Sequence, residues 1–262
     1  MRRILIVGNW KMHLNVSQSS LLAHRLQKRI DNHHEVEVVF APSMLALQPL
    51  SVQIDRRKFR LAAQNAYHKD EGAYTGEVSF TMLQELVHYS IVGHSERRNI
   101  FNESLRDVTA KVAAAFRNGI VPILCVGETT NERLAGETNQ VLHDQVVTAL
   151  MNVTSPEIEN LVVAYEPVWA IGTGNIAKPA QIEAAAKVIR HNISELYGNR
   201  AAESVRVLYG GSVTADTAGG FLRAKGIDGL LVGDASLNYH QFSGIVEAAY
   251  NTIHGQKTQG DN

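Results

Sequence analysis

The sequence predicts an α/β fold, a single-domain (β/α)8 barrel in which eight parallel strands alternate with helices. Short runs rich in β-branched residues alternate eight times with longer segments of helical period. The chain has 262 residues, close to the roughly 250 typical of such barrels. Polar and catalytic residue types gather directly after the predicted strands, where barrels of this kind assemble active sites. We assign residues 1–254 to the barrel and 255–262 to a polar C-terminal tail.

The predicted strands are short, mostly apolar and bounded by turn residues, as expected for parallel strands buried on both faces. Their content of Val, Ile and Leu is too high, and their length too small, for amphipathic helices. They cover residues 4–9, 36–41, 59–65, 90–94, 121–126, 161–166, 205–210 and 229–233.

The helices between the strands show apolar residues at i, i+3 and i+4 spacing, which indicates one buried face. Ser17 and Asn102 are predicted to cap helix starts, Pro179 suits a first turn, and Gly119 and Gly198 suit helix ends. The second unit, at residues 44–54, and the seventh, which contains two adjacent glycines, carry the weakest pattern. The stripes are Leu22, Leu26 and Ile30; Leu105, Val108, Val112 and Phe116; Leu142, Val146 and Leu150; Ile182, Ala186, Ile189 and Ile193; and Phe242, Val246, Ala249 and Ile253.

Composition excludes several classes of partner. A formal net charge of -1 gives no general attraction for nucleic acid or an anionic membrane, and no stretch approaches the roughly 20 apolar residues of a membrane span. The single cysteine, Cys125, rules out an internal disulfide and fits a reducing cytoplasm. No spacing matches a metal site or a nucleotide-binding glycine motif. We predict a cytoplasmic protein with no metal, no cofactor, and no nucleic-acid or membrane partner.

The stretch after the sixth strand combines a carboxylate with an unusual loop. Glu166 ends the apolar run, Pro167 stops the strand ladder, and Gly172 and Gly174 allow the chain to swing. The apolar residues 168–171 between them are typical of a lid that closes over a site and excludes water. The alternative is a solvated strand-end acid followed by a loop whose tryptophan packs on the barrel wall.

Further polar side chains follow strands 1 and 4. Asn9 and Lys11 come after the first strand, and His94 and Glu96 after the fourth. Because the carboxyl ends of parallel strands meet at one rim, we expect these groups to converge with Glu166. His94 by itself is more typical of a structural histidine, and Lys11 has a simpler interpretation as a surface charge paired with Glu96. Their convergence with Glu166 favours catalysis.

Strands 7 and 8 end in glycine-rich turns, Gly210-Gly211-Ser212 and Gly233-Asp234-Ala235-Ser236. Free N–H groups at such turns attract an anion. With Gly172 of the lid as a third wall, they predict a backbone cradle for a phosphate group. A tight strand-to-helix connection is the simpler interpretation of either turn alone.

A carboxylate, a neutral imidazole, an ammonium group and a phosphate cradle suit proton transfer beside the carbonyl of a small phosphorylated sugar. Glu166 would remove the carbon-bound proton, while His94 and Lys11 offset the charge that develops on oxygen. Asn9 would orient the substrate. We expect His94 to stay neutral at a helix N-terminus and the closed lid to exclude water.

These residues lie in motifs that closely resemble those of the triosephosphate isomerase family, and the resemblance runs from the first strand to the last. The family is itself a standard example of a glutamate base, a neutral histidine and loop closure. The resemblance implies a TIM barrel, a homodimer, no cofactor, and the glycolytic and gluconeogenic interconversion of dihydroxyacetone phosphate and D-glyceraldehyde 3-phosphate. The motifs are Gly8-Asn9-Trp10-Lys11-Met12, Ala63-Gln64-Asn65, Gly72-Ala73-Tyr74-Thr75-Gly76-Glu77, Gly93-His94-Ser95-Glu96-Arg97-Arg98, Cys125-Val126-Gly127-Glu128, Tyr165-Glu166-Pro167-Val168-Trp169-Ala170-Ile171-Gly172-Thr173-Gly174 and Tyr209-Gly210-Gly211-Ser212-Val213.

The resemblance also implies a role for each site residue. Glu166 would be the proton acceptor and His94 the electrophile. Lys11 and Asn9 would contact the substrate, with Glu96 as a supporting acid beside the lysine. The implied phosphate contacts are Gly172, Ser212, Gly233 and Asp234.

Two departures from the family pattern matter. Asp234 stands where the family usually has a second glycine, and we expect its side chain to point away so that only its N–H is used. His13 and Leu14 replace the more usual Asn-Gly of the first loop. In the family that loop lies near the dimer contact, where the loop of Thr75 reaches into the partner.

Two alternative functions remain open at this point. The same chemistry on a four-carbon ketose phosphate would make Asp234 an altered specificity element. A barrel retained only as a binding protein would predict the loss of Lys11, His94 or Glu166, and all three are present.

Overall fold

Eight parallel strands close into a barrel in sequence order in the computed structural model, which describes residues 2–31, 34–172 and 175–257. The first strand pairs with both the second and the eighth, which closes the cylinder. The strands are β1 Ile4–Asn9, β2 Val36–Ala41, β3 Phe59–Ala63, β4 Tyr89–Val92, β5 Val121–Val126, β6 Val162–Tyr165, β7 Arg206–Tyr209 and β8 Gly229–Val232. The predicted (β/α)8 architecture is confirmed.

The helices pack around the barrel and bury the apolar stripes that the sequence predicts. Val108 and Val112 of the fifth helix, for example, are fully buried. The helices are α1 Val16–Arg29, α2 Met44–Gln53, α3 Phe80–Leu83, α4 Ser95–Asn99, α5 Leu105–Arg117, α6 Thr130–Leu134, α7 Thr138–Ala149, α8 Ser155–Ile158, α9 Pro179–Tyr197, α10 Asn199–Ser204, α11 Ala215–Leu222 and α12 Tyr239–Lys257, and short 3-10 turns cover Val168–Ala170 and Asp234–Leu237.

Helix boundaries agree with the sequence in part. Pro179 opens α9 and Gly198 ends it with a φ of 83°, as predicted. The predicted caps at Ser17 and Asn102 are wrong: Asn15 caps α1 and Ser104 caps α5, each through a side chain that accepts an N–H three residues later. A cap needs extended backbone, whereas Asn102 has a φ of 54°.

Strands β4 and β6 end one or two residues earlier than predicted at the carboxyl end of the barrel, where the polar residues lie. Strand β4 stops at Val92 and β6 at Tyr165, so His94 and Glu166 lie just beyond the ladder. The Glu166 N–H still donates to the carbonyl of Val126 at 2.8 Å. That bond continues the strand direction by one residue and fixes where the Glu166 side chain begins.

The amino end of the barrel is closed by a charged cluster inside the cylinder. The Arg206 guanidinium donates to Glu37 Oε2 at 2.8 Å and to the Tyr89 hydroxyl at 2.8 Å, and Tyr89 donates to Glu37 Oε1 at 2.7 Å. These residues belong to β7, β2 and β4, so the cluster ties separate parts of the cylinder together. Apolar side chains fill the interior between this cluster and the other end.

Two findings bear on partners and on the tail. Among the described residues, no helix is long and apolar enough to span a bilayer. The last helix continues to Lys257, so part of the predicted tail is helical backbone, and residues 258–262 lie outside the described residues.

Candidate active site

A single cavity at the carboxyl end of the barrel collects every predicted site residue. We call it the rim cavity; its volume is about 460 Å³. Loops after β1, β4, β6, β7 and β8 form its walls. Among its lining residues are Asn9, Lys11, His94, Glu96, Glu166, Gly172, Ser212, Gly233 and Asp234. Side chains far apart in the sequence therefore meet where the strand ends predict that they should.

Glu166 and His94 are in direct contact within this cavity. Glu166 Oε1 lies 3.0 Å from His94 Nε2, and both side chains are almost completely buried. The other carboxylate oxygen, Oε2, accepts the backbone N–H of Ser95 at 2.9 Å. Both oxygens of Glu166 are thus held in place, which fixes the carboxylate relative to the imidazole.

The environment keeps Glu166 ionised in this state. Burial by itself raises its pKa, but the His94 ring lowers it through both charge and a hydrogen bond, and the Ser95 N–H and Lys11 lower it further. The pKa of Glu166 therefore lies below its ordinary value. A carboxylate that is ionised and largely removed from water is suited to accept a proton.

The hydrogen bonds of His94 assign its neutral tautomer. Nδ1 accepts the backbone N–H of Glu96 at 3.2 Å, so the neutral ring carries its proton on Nε2, which faces Glu166. Burial lowers the pKa of His94, but the Glu166 carboxylate raises it more, and the pKa lies above its ordinary value. The sequence predicts that His94 stays neutral at a helix N-terminus, whereas the carboxylate contact favours the charged ring and outweighs burial.

Lys11 is held by contacts to three neighbours. Its Nζ lies 2.7 Å from Glu96 Oε1, its N–H donates to Asn9 Oδ1 at 3.0 Å, and its carbonyl accepts from Gln64 Nε2 at 2.8 Å. Its backbone has a φ of 51°, a left-handed conformation that non-glycine residues adopt at some cost. The predicted Lys11–Glu96 ion pair is present, and it lies inside the cavity.

The glycine-rich turns after β7 and β8 form part of the cavity wall, and a Cβ on Gly233 would lie 3.5 Å from Lys11 Cε. A Cβ on Gly211 would lie 2.1 Å from the Tyr209 hydroxyl, so no larger residue fits there. The Asp234 side chain is exposed at the start of its 3-10 turn. Among the described non-glycine residues, positive φ occurs at Lys11, Leu14 and Asn102 and not at Asp234, so the aspartate does not strain its turn.

The segment after Glu166 is anchored to the barrel wall at its start. The Trp169 indole N–H donates to Glu128 Oε1 at 2.9 Å, and the guanidinium of Arg133 lies 4.1 Å from the centre of the indole ring. Gly172 has a φ of 70°, which favours glycine. Packing of the tryptophan on the wall is thus observed in this state, while Thr173 and Gly174 lie outside the described residues.

Several residues that shape the site are not predicted from the sequence to have a role in it. Glu128 is fully buried and accepts from Tyr165, Arg133 and Trp169. Gln64 bridges the carbonyls of Lys11 and Ala41. The available signal for Glu128 was its place just after β5, the same kind of position that singled out Glu166.

Comparison with known proteins identifies the family. A family model described as triosephosphate isomerase matches residues 4–249. A triosephosphate isomerase of Clostridium tetani is 42% identical over 247 residues, which is 94% of this chain and 96% of the relative. The corresponding enzyme of Caldanaerobacter subterraneus is 44% identical over 247 residues, with 94% and 99% covered, and that of Chlorobium phaeobacteroides is 44% identical over 251 residues, with 95% and 100% covered. The chain belongs to the triosephosphate isomerase family.

Proposed function

We propose that the chain interconverts dihydroxyacetone phosphate and D-glyceraldehyde 3-phosphate through an enediolate, without a cofactor. Its family membership supports the reaction. The observation that carries the mechanism is the contact of 3.0 Å between Glu166 Oε1 and His94 Nε2, beside Lys11 in a cavity sized for a small sugar phosphate. The base, the electrophile and the cation can therefore all reach one substrate.

The proposed reaction moves one proton between neighbouring carbons. Glu166 takes the proton from the carbon beside the carbonyl, and the C–H electron pair becomes the C=C bond of the enediolate. His94 donates a hydrogen bond from Nε2 to the oxygen that gains charge, and the Lys11 ammonium stabilises the same charge. The former carbonyl oxygen takes a proton from His94 Nε2, and the ring regains one from the neighbouring hydroxyl, which becomes the new carbonyl. Glu166 then returns the carbon-bound proton to the adjacent carbon.

Binding of substrate is expected to change the ionisation of both buried groups. A substrate oxygen at Nε2 would separate His94 from Glu166 and remove the contact that raises the histidine pKa. Burial, Lys11 and the N–H that Nδ1 accepts then favour the neutral ring. Glu166 loses its main stabilising partner at the same time, so burial raises its pKa and makes it a stronger base.

The remaining residues would position the substrate. Asn9 and Lys11 contact its oxygens, and Glu96 holds the lysine at the cavity wall. The substrate phosphate would accept N–H groups of the turns after β7 and β8 and of the lid, and closure of the lid would exclude water. The backbone N–H groups that would donate to the phosphate belong to Gly172, Ser212, Gly233 and Asp234.

An assay coupled to a dehydrogenase tests the reaction in both directions with purified protein. We expect kcat/KM for the triose phosphates to exceed that for a four-carbon ketose phosphate by orders of magnitude. A preference for the tetrulose phosphate would instead support the alternative substrate. Absence of turnover by a folded protein that still binds phosphate ligands would support a binding role.

Asp234 is expected to weaken phosphate binding through its charge. An exposed carboxylate at the cavity wall repels a dianion several ångströms away, and removing that charge in Asp234→Asn should lower KM by about fivefold. The difference should shrink as salt is added, because ions screen exposed charges. Asp216→Asn is the matched control: it is also exposed in a first helical turn but does not line the cavity. Equal KM values in the wild type and Asp234→Asn would show that the aspartate does not face the phosphate.

We also infer that the chain works as a homodimer. We propose in addition that residues 1–254 form a single barrel domain and that the protein is cytoplasmic. Large apolar side chains are exposed in the segments that follow β1, β2 and β3: Met12 is 96% exposed, Leu45 80% and Met82 63%. The loop at residues 71–77 is exposed along its length. A second copy of the chain that covered these side chains would remove them from water.

Thr75→Arg should therefore separate the dimer. Burial of an unpaired charge in an interface costs several kcal/mol, so the dissociation constant should rise by on the order of 100-fold. Analytical ultracentrifugation should find the wild type at twice the mass of one chain and the variant near a single mass. Met151→Arg is the control, because Met151 is exposed at the amino end of the barrel. A monomeric wild type would refute the dimer.

A further inference from the structure

A second cavity, of about 280 Å³, adjoins the rim cavity, and we call it the rear cavity. Its walls come from the loops after β4, β5 and β6 and from α7. Ser95, Asn99, Glu166 and Val168 line both cavities. Glu166 is thus bordered by two spaces, and the substrate of the proposed function occupies the rim cavity.

The wall of the rear cavity includes Glu103, whose carboxylate is buried. Glu103 Oε1 accepts from Arg97 at 3.1 Å and from the Lys111 ammonium, whereas Glu103 Oε2 is buried and has no hydrogen-bond partner among the described residues. The Arg97 and Lys111 cations beside Oε1 offset the cost of burying this carboxylate. The cavity has room for several water molecules, since each takes about 30 Å³ in the liquid.

The rear cavity also reaches the surface. Asp144 lines the cavity and is exposed to solvent. The next residue, Gln145, accepts the Gly127 N–H at 2.8 Å and donates to the Gly127 carbonyl at 3.2 Å. These bonds hold α7 against the loop that supports Glu166. The rear cavity therefore extends from Glu166 and Ser95 to solvent beside α7.

We propose that the rear cavity is a water-filled route through which the proton on Glu166 exchanges with bulk solvent while the substrate fills the rim cavity. The inference rests on the proposed role of Glu166 as base. Exchange leaves the charge unchanged: the O–H bond of the protonated carboxyl breaks as a neighbouring water supplies a new hydron, and one hydron passes along the chain to bulk. Ser95, Gln145 and Asp144 line the route from Glu166 to the surface.

Isomerisation of fully protiated substrate in D2O tests this route. Product is trapped by a coupling enzyme, and mass spectrometry measures the ratio of deuterium to retained protium at the carbon that receives the proton. Val141→Phe and Leu105→Phe fill the rear cavity from two walls. Val147→Phe is the matched control, because Val147 is also half-buried on α7 but does not line the cavity.

We expect the wild type to give both labelled and unlabelled product. Each filled variant should lower the deuterium-to-protium ratio by about threefold or more, because a filled cavity cannot hold a continuous water chain, while kcat stays close to the wild-type value. The control should match the wild type. A ratio unchanged in whichever filled variant folds and turns over, or a wild type that transfers only protium, would overturn the route. Absence of turnover by the wild type would instead refute the proposed function.

Discussion

Glu166→Asp is expected to lower kcat by on the order of 100-fold or more, because withdrawing the carboxylate by about 1 Å disrupts a proton transfer that depends on alignment. The shorter side chain cannot keep both the Nε2 contact with His94 and the bond from the Ser95 N–H, which lie 3.0 and 2.9 Å from the native oxygens. The coupled assay measures the loss, and urea unfolding checks that the variant is folded.

A conservative change at an unrelated glutamate provides the control for this experiment. Glu203→Asp shortens an exposed glutamate on α10 and should leave kcat unchanged. The pH profile gives a second readout. Because the pKa of His94 is raised and that of the Glu166 carboxyl is lowered in the free protein, kcat/KM of the wild type should fall in acid first as His94 is protonated and only at lower pH as Glu166 is protonated. Full activity in Glu166→Asp would show that another group removes the proton.

Arg206→Met is expected to destabilise the fold by about 3–5 kcal/mol, because it leaves the Glu37 carboxylate buried without its cation. Both side chains are mostly buried, with exposed fractions of 18% and 14%. The free energy of unfolding in urea measures the effect. Glu37→Met combined with Arg206→Met should restore much of the loss, since apolar groups of similar volume often replace a buried ion pair. A loss below about 1 kcal/mol in the single variant, the size of an exposed ion pair, would contradict this account.

The same cluster predicts how stability depends on pH. Burial raises the pKa of Glu37, but its hydrogen bonds with Arg206 and Tyr89 and the charge of Arg206 lower it more. A carboxyl whose pKa falls on folding stabilises the native state at pH values above its unfolded pKa. That contribution is lost as the pH drops through the lower, folded pKa. Wild-type protein should lose this stability in acid, and Arg206→Met should lack this component of the pH dependence.

The order of strands and helices could be predicted from the sequence because alternation and apolar spacing are local. The exact ends could not. His94 and Glu166 were placed inside strands, yet each lies beyond the last paired residue, since the ladder ends where neighbouring strands stop pairing. The true cap of α1 is Asn15, two residues before the predicted Ser17. Both residue types cap helices, and the choice depends on backbone geometry that residue type does not encode.

The residues of the candidate site and their convergence at one rim could be predicted from the sequence, but the contacts among them could not. The convergence of Lys11, His94 and Glu166 follows from the rule that parallel strands present their carboxyl ends at one rim. The pKa of His94, the anchoring of Trp169 by Glu128 and the rear cavity depend on contacts between residues far apart in the sequence. Periodicity and local motifs carry no information about those distances, so the contact with Glu166 that raises the His94 pKa could not be predicted.

The charged cluster of Glu37, Tyr89 and Arg206 lies at the amino end of the barrel, and the reacting groups lie at the carboxyl end. Apolar layers such as Val7, Ile91 and Leu208 stand between them. The cluster that stabilises the fold and the residues that carry out the reaction therefore lie at opposite ends of the barrel. Directed evolution can therefore change the loops at the carboxyl end toward new sugars while the charged cluster at the amino end keeps the barrel stable.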